Sequence, residues 1–130
     1  TLMSGDGIAS DEFASIAGAD AAVGTLMTFA PDPRKRPEAA GVLKKFEEKG
    51  VSTEAYTLYS YAVVQIIKQA AEAAKSEDPK KVAEQMRSGT DFETVIGKIA
   101  FDAKGDVNRL DYTMYTWQKT DGDRVTYVEN

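Results

Sequence analysis

Asp6 stands between two glycines in Ser4-Gly5-Asp6-Gly7, directly after the short apolar run Leu2-Met3. The segment is neither Gly-x-Gly-x-x-Gly nor a Walker sequence, and an acid at its centre repels phosphate. A carboxylate on a glycine-flanked loop at a strand end suits a cation or an ammonium group. The competing reading is an Asp6 that caps a turn or faces solvent. A second candidate is aromatic. Tyr56, Tyr59 and Tyr61 cluster at the start of the longest expected helix. Aromatics at helical spacing are usually core, and Tyr59 fits a buried stripe. Tyr56 sits one turn earlier, near the helix N-terminus, where side chains often face a cleft. Asp102, Lys104 and Asp106 invite a calcium-loop reading, which fails. Lys104 occupies a ligand position, Gly105 comes too early, and Thr113 stands where a bidentate glutamate belongs. A strand-connecting turn is the simpler reading. Asp91 and Glu93 flank Phe92 in an expected loop and read as solvated. No pair of carboxylates lies near a nucleophile with a plausible base, so the residues propose no catalysis, no metal and no cofactor.

Composition narrows the classes further. The chain has 130 residues, room for one domain of ordinary size, and 42% of them are hydrophobic, enough for a packed core. It contains no histidine. That removes the usual general base, the commonest metal ligand and the Ser-His and Cys-His nucleophile pairs. It contains no cysteine, hence no disulfide framework and no thiolate metal site. The formal net charge of −5 leaves no cationic face to displace counterions from phosphates. The one basic cluster, Arg34-Lys35-Arg36, lies between Pro33 and Pro37 and reads as a solvated loop. No run of about 20 apolar residues crosses a bilayer, and no signal peptide is visible. The start, Thr1-Leu2-Met3, reads like the middle of a longer chain, as processing or a cut would leave it.

The elements that must position these residues follow from pattern. Leu2-Met3 is expected to end a buried strand. Ser10 caps a short helix with Asp11 and Glu12 in its first turn, Phe13, Ile16 and Ala17 as its buried stripe, and Gly18 as its stop. Ala22 to Phe29 reads as a strand, halted by Pro31-Asp32-Pro33, the clearest linker in the chain. Pro37 suits a first helical turn, and Ala39, Val42, Leu43 and Phe46 form one face of the helix that Gly50 ends. Thr53 is expected to cap a long helix from about Glu54 to Lys75, with Tyr59, Ala62, Val63, Ile66, Ile67 and Ala70 on its apolar face. Asp78-Pro79 opens a short helix to about Arg87. The remainder reads as β: Thr94 to Phe101 with a bulge at Gly97, Tyr112 to Lys119, an Asp121-Gly122 hairpin signal, and a return strand from Arg124 to Val128.

Three groups of segments together resemble the leucine/isoleucine/valine-binding proteins of ABC transporters, within the wider type I periplasmic-binding family. The first is Gly5-Asp6-Gly7-Ile8 with Ser15-Ile16-Ala17-Gly18 and Ala21-Ala22-Val23-Gly24-Thr25-Leu26. The second is Tyr59-Ser60-Tyr61-Ala62-Val63-Val64-Gln65. The third runs from Thr94-Val95-Ile96-Gly97 through Phe101-Asp102-Ala103-Lys104-Gly105-Asp106 to Tyr112–Trp117 and is the most specific. Order and spacing match over essentially the whole chain.

The resemblance implies an α/β chain that is roughly the last third of a two-lobed protein, a partial type I fold carrying pieces of both lobes. Residues 1–30 would belong to the C-terminal lobe, 31–36 to a hinge crossing and 37–105 to the N-terminal lobe. Residues 106–130 would supply a further crossing, near 106–111, and terminal strands of the C-terminal lobe. It also implies a periplasmic or otherwise extracytoplasmic solute-binding component of an importer, not an enzyme, that binds an amino acid or related acid between the lobes and docks on a membrane permease. By the resemblance, Asp6 holds the ligand ammonium and Tyr56 packs on its side chain, while the groups that hold the ligand carboxylate lie in the part of the pattern absent here. The chain by itself is then expected to self-associate, with strands from Thr94–Phe101 or Tyr112–Lys119 exchanged between copies. Two other readings stay open: a ligand-sensing domain of a receptor or regulator on the same fold, and a small α/β interaction domain without a small-molecule site.

Overall fold

Pro31-Asp32-Pro33 cannot carry a strand onward, and the chain divides there. In the computed structural model, which describes residues 1–54, 56–109 and 112–130, one unit comprises Thr1–Asp32 and Asp111–Asn130 and the other Pro33–Leu110. In chain order the elements are β1 (Met3–Ser4), α1 (Asp11–Ala17), α2 (Ala19–Ala22), β2 (Leu26–Phe29), α3 (Ala40–Glu48), α4 (Thr57–Ala74), α5 (Pro79–Met86), β3 (Phe92–Thr94), β4 (Gly97–Ile99), β5 (Thr113–Lys119) and β6 (Val125–Glu129), with 3-10 turns at Asp6–Ile8, Pro33–Lys35, Pro37–Ala39 and Asp121–Asp123. The α/β expectation holds. The further crossing expected near 106–111 includes residues 110 and 111, which lie outside the described residues.

The first unit is a four-stranded sheet in the order β1-β2-β5-β6. β1 runs parallel to β2, and β5 is antiparallel to both β2 and β6. Met27 pairs with Tyr115 and Trp117 with Tyr127. The period of two therefore puts Met27, Phe29, Tyr115 and Trp117 on one face, and all four are buried. Trp117 is enclosed by Ala14 and Ala22, with Phe13 at 4.9 Å and Tyr127 at 5.2 Å between ring centroids. Its indole Nε1 has no hydrogen-bond partner among the described residues. Leu26, Thr28, Met114 and Thr116, on the opposite face, are only half-buried.

Ser10 caps α1 as expected, accepting from the Glu12 N–H at 3.1 Å, and Gly18 ends it at φ +85°. The expected stripe is wrong at its far end. Ala14 is buried and Phe13 half-buried, whereas Ala17 is exposed and Ile16 is 83% exposed. A helix of seven residues presents one turn to the Trp117 cluster, and Ile16 lies past it. The strand expected from Ala22 begins only at Leu26. Ala19, Ala21 and Ala22 form α2 instead, as good helix formers do, and Gly24, at φ +83°, turns the chain into β2. Leu2-Met3 leads into a strand but is exposed, because β1 is an outer strand of the sheet. Tyr112 lies outside β5 and is exposed.

The core of the second unit gathers Leu58, Ala62, Ile66 and Ala70 of α4 with Ala39, Val82, Phe92, Val95, Ile96 and Ile99, and Val42, Leu43 and Phe46 pack against it. The α3 face is thus as the sequence predicts. Asp78 caps α5, accepting from the Lys80 N–H at 2.9 Å. Three expectations fail. Thr53 does not cap the long helix: α4 starts at Thr57, Tyr56 holds the cap position without a side-chain cap bond, and the Thr57 N–H donates to the Glu54 carbonyl at 2.9 Å. Ala55, within the expected helix, lies outside the described residues. Val63 and Ile67 are exposed, and the buried row passes through Leu58 instead.

The third failure is the strand expected from Thr94 to Phe101, which is a hairpin. β3 pairs with β4 across Val95-Ile96, and Gly97 sits opposite Thr94 at φ +89°, where a Cβ would lie 3.3 Å from Arg36 Nη1. The Gly97 role is a tight turn and not a bulge. Glu93, expected in a loop, is in β3 opposite Lys98, and the two pair at 3.0 Å. Hydrogen bonding and charge from Glu93, then the charge of Asp91, raise the Lys98 pKa above its ordinary value.

Candidate functional site

Asp6 emerges at the carboxyl end of β1, where the parallel β1–β2 pair opens into the turn Asp6–Ile8. Open α/β sheets place ligands outside the carboxyl ends of their strands. The Asp6 backbone carbonyl accepts from the Ala9 N–H at 2.9 Å and closes the turn, so the residue is fixed by backbone while its side chain is exposed. Gly5 and Gly7 are exposed beside it. Neither has a positive φ, and a Cβ at either would meet nothing within 4 Å. Glycine here is demanded neither by backbone conformation nor by packing inside the chain. Its effect is to leave the flanks of the carboxylate bare.

Tyr56 belongs to the second unit. It holds the cap position of α4 in near-helical conformation (φ −92°, ψ −10°), and its carbonyl accepts from the Ser60 N–H at 2.8 Å. Its side chain is 47% exposed. The other two tyrosines divide as their spacing suggests. Tyr59 packs against the core, and Tyr61 lies edge-on to Phe46 with centroids 6.0 Å apart. Asp6 and Tyr56 thus stand on different units, each on a solvent-facing turn that opens an element.

The Asp102–Asp106 segment is the turn the sequence suggests. Asp102 Oδ1 accepts from the N–H groups of Lys104, Gly105 and Asp106, each at 2.9 Å. Lys104 Nζ meets Asp106 Oδ2 at 2.8 Å. Both carboxylates are engaged by the turn itself. Among the described residues no group of three potential metal ligands gathers anywhere, and no helix is long and apolar enough to cross a membrane.

Two residues that sequence reasoning missed hold the second unit together. Gln69 treats β3 as a neighbouring strand would: its Oε1 accepts from the Glu93 N–H at 3.1 Å and its Nε2 donates to the Glu93 carbonyl at 2.8 Å. One turn earlier, Gln65 Oε1 accepts from the Val95 N–H at 2.9 Å. The signal available in the sequence was an uncharged polar pair at i, i+4 beside the apolar stripe of α4.

The elements and their order match known proteins along nearly the whole chain. The chain is 50% identical over 128 residues to the Leu/Ile/Val-binding protein homolog 1 of Brucella suis, covering 98% of this chain and 34% of that protein. It is 45% identical over 117 residues to an amino acid binding protein of Pseudomonas aeruginosa, covering 89% and 31%. In three dimensions it resembles the leucine binding protein LivK of Thermotoga maritima, with a TM-score of 0.77 and 26% identity over 97% of this chain and 35% of that one. The chain therefore spans about a third of the length of the relatives it matches. The sequence profile of the family described as periplasmic binding protein covers residues 2–123, both units included, and the chain belongs to that family.

Proposed function

We propose that this chain is part of an extracytoplasmic solute-binding component of an ABC importer, which takes a branched-chain or related amino acid between two lobes and delivers it to a membrane permease. The observation that carries this reading is the 50% identity, over 98% of the chain, to a protein named for Leu/Ile/Val binding. It is a binding role and not an enzymatic one. In this reading residues 1–30 and the terminal strands belong to one lobe, residues 37–105 to the other, and residues 31–36 and the stretch near 106–111 are hinge crossings. The division of the chain between Asp32 and Pro33 supports the crossing at 31–36.

The physics of the ligand assigns the roles. A zwitterion that leaves water needs partners for both charges. Asp6 receives the ammonium as a charge-assisted pair, and its bare glycine flanks admit a ligand backbone. Tyr56 offers an aromatic wall to the side chain. Closure of the lobes excludes water, so ligand selects the closed state. Calorimetric titration of the intact protein with leucine, isoleucine and valine tests the reading. Saturable binding of at least one is expected, and no binding of any amino acid would overturn it.

A further inference from the structure

Two arginines meet at one glycine. A Cβ on Gly97 would lie 3.3 Å from Arg36 Nη1 and 3.6 Å from Arg109 Nη1, so both guanidiniums lie against the spot that the missing side chain leaves. Gly97 is buried, and each arginine is half-buried. The φ of +89° is one reason for glycine here. The two guanidiniums are a second, since they occupy the space. A guanidinium is less strongly hydrated than an ammonium, and its methylene stem can pack on the turn while the charged head meets water.

The two arginines come from opposite ends of the second unit. That unit begins at Pro33 and ends at Leu110, so Arg36 stands just inside its entry and Arg109 just before its exit. Backbone bonds hold each place separately. The Arg36 N–H donates to the Pro33 carbonyl at 3.2 Å, and the Arg36 carbonyl accepts from the Ala39 N–H at 3.1 Å. The Asn108 N–H donates to the Ala100 carbonyl at 3.1 Å, and Phe101 bridges to Val107. At Gly97 the side chains of the two segments come together. We infer that Gly97 is a clasp: it seats Arg36 and Arg109 side by side, ties the two crossings into one pivot, and so narrows the range of lobe positions from which the protein closes on ligand. The three are positioning residues, and the inference rests on the reading of 31–36 and 106–111 as hinge crossings. Crossings that move independently sample more open states. Closure then gives up more conformational entropy, and apparent affinity falls with the competent fraction.

The test uses the intact protein with spin labels on cysteines at exposed Lys80 and Lys119, one in each unit. This chain has no cysteine to compete, and any elsewhere is replaced. Arg36→Met and Arg109→Met remove the guanidinium and keep an unbranched stem, whereas Gly97→Ala adds strain of its own, so the arginine variants carry the test. Without ligand, the distribution of distances between the labels should broaden in either variant and little further in the double variant, while thermal unfolding stays cooperative. Calorimetry should show leucine affinity falling by roughly threefold or more in each single variant. The double variant should lose less than the product of the two losses, as groups sharing one seat do. That non-additivity separates the shared seat from any bond that either arginine makes by itself. Unchanged widths in both single variants overturn the inference, as do affinity losses that multiply independently. A wild-type protein that binds no amino acid defeats the transport reading instead, and the label widths, which need no ligand, still decide the clasp.

Discussion

At the scale of single residues, the chemistry assigned to Asp6 and Tyr56 separates cleanly from their part in the fold. Asp6 closes its turn through the backbone carbonyl, which accepts from the Ala9 N–H, and a change of carboxylate to amide leaves that bond in place. Asp6→Asn in the intact protein should leave the melting transition in place. It should weaken amino-acid binding by about 1.5–3 kcal/mol, the worth of a hydrogen bond to a charged group. Isothermal calorimetry reads both the affinity and its loss, and an unchanged affinity for every amino acid removes Asp6 from the site. The Tyr56 carbonyl accepts from the Ser60 N–H at the start of α4, and the residue is half-exposed. Tyr56→Ala should reorder leucine, isoleucine and valine by affinity while unfolding stays cooperative. A large loss of stability with the ranking intact would make the ring a core element instead.

At the scale of elements, α4 is fastened to the β3–β4 hairpin by one bond from Gln65 and two from Gln69, and the two side chains differ in what their loss exposes. Val95 is 3% exposed, so Gln65→Ala leaves a buried N–H without its acceptor, a cost of about 1–3 kcal/mol. Glu93 is an exposed residue, and water can replace Gln69 there, so Gln69→Ala should cost about 0.5–1.5 kcal/mol, the ordinary net value. Urea unfolding of both variants should rank Gln65→Ala as the more damaging, and the reverse order would mean that the Val95 N–H finds another partner.

These bonds also mark where sequence reading stops. Local chemistry was legible: the Ser10 and Asp78 caps, the Gly18 stop and the α3 stripe each depend on neighbours within a turn. The hairpin at Gly97 was missed because an apolar run, Val95-Ile96, reads as strand, and only the positive φ of Gly97 makes it a turn. The start of α4 was missed because Thr53 is a good cap by type, while the Glu54 carbonyl holds the Thr57 N–H. The Asp6 turn was legible as a glycine-flanked carboxylate. That its flanks are bare needed the coordinates.

At the scale of the whole molecule, the chain by itself should not be a competent amino-acid receptor. It carries the proposed ammonium partner, Asp6, but the resemblance places the carboxylate partners of the ligand in the part of the pattern outside it. A zwitterion held at Asp6 alone keeps its carboxylate in water or unpaired, and the interaction of one charge at an exposed turn is weak. The same incompleteness governs assembly. Exchange of the segments Thr94–Phe101 or Tyr112–Lys119 is not needed to satisfy their backbones, since β3 and β4 pair with each other and β5 is flanked by β2 and β6. Among the described residues, surfaces able to recruit a neighbour include the outer strands β1 and β6 and the exposed α4 residues Val63 and Ile67. Unpaired edges and apolar faces draw in other chains. Light scattering of the isolated chain should therefore show a dimer or larger assembly whose mass falls on dilution, and calorimetry should detect no saturable binding of leucine at micromolar concentration. A monomer that binds leucine in that range would show that the ligand site is complete within these residues.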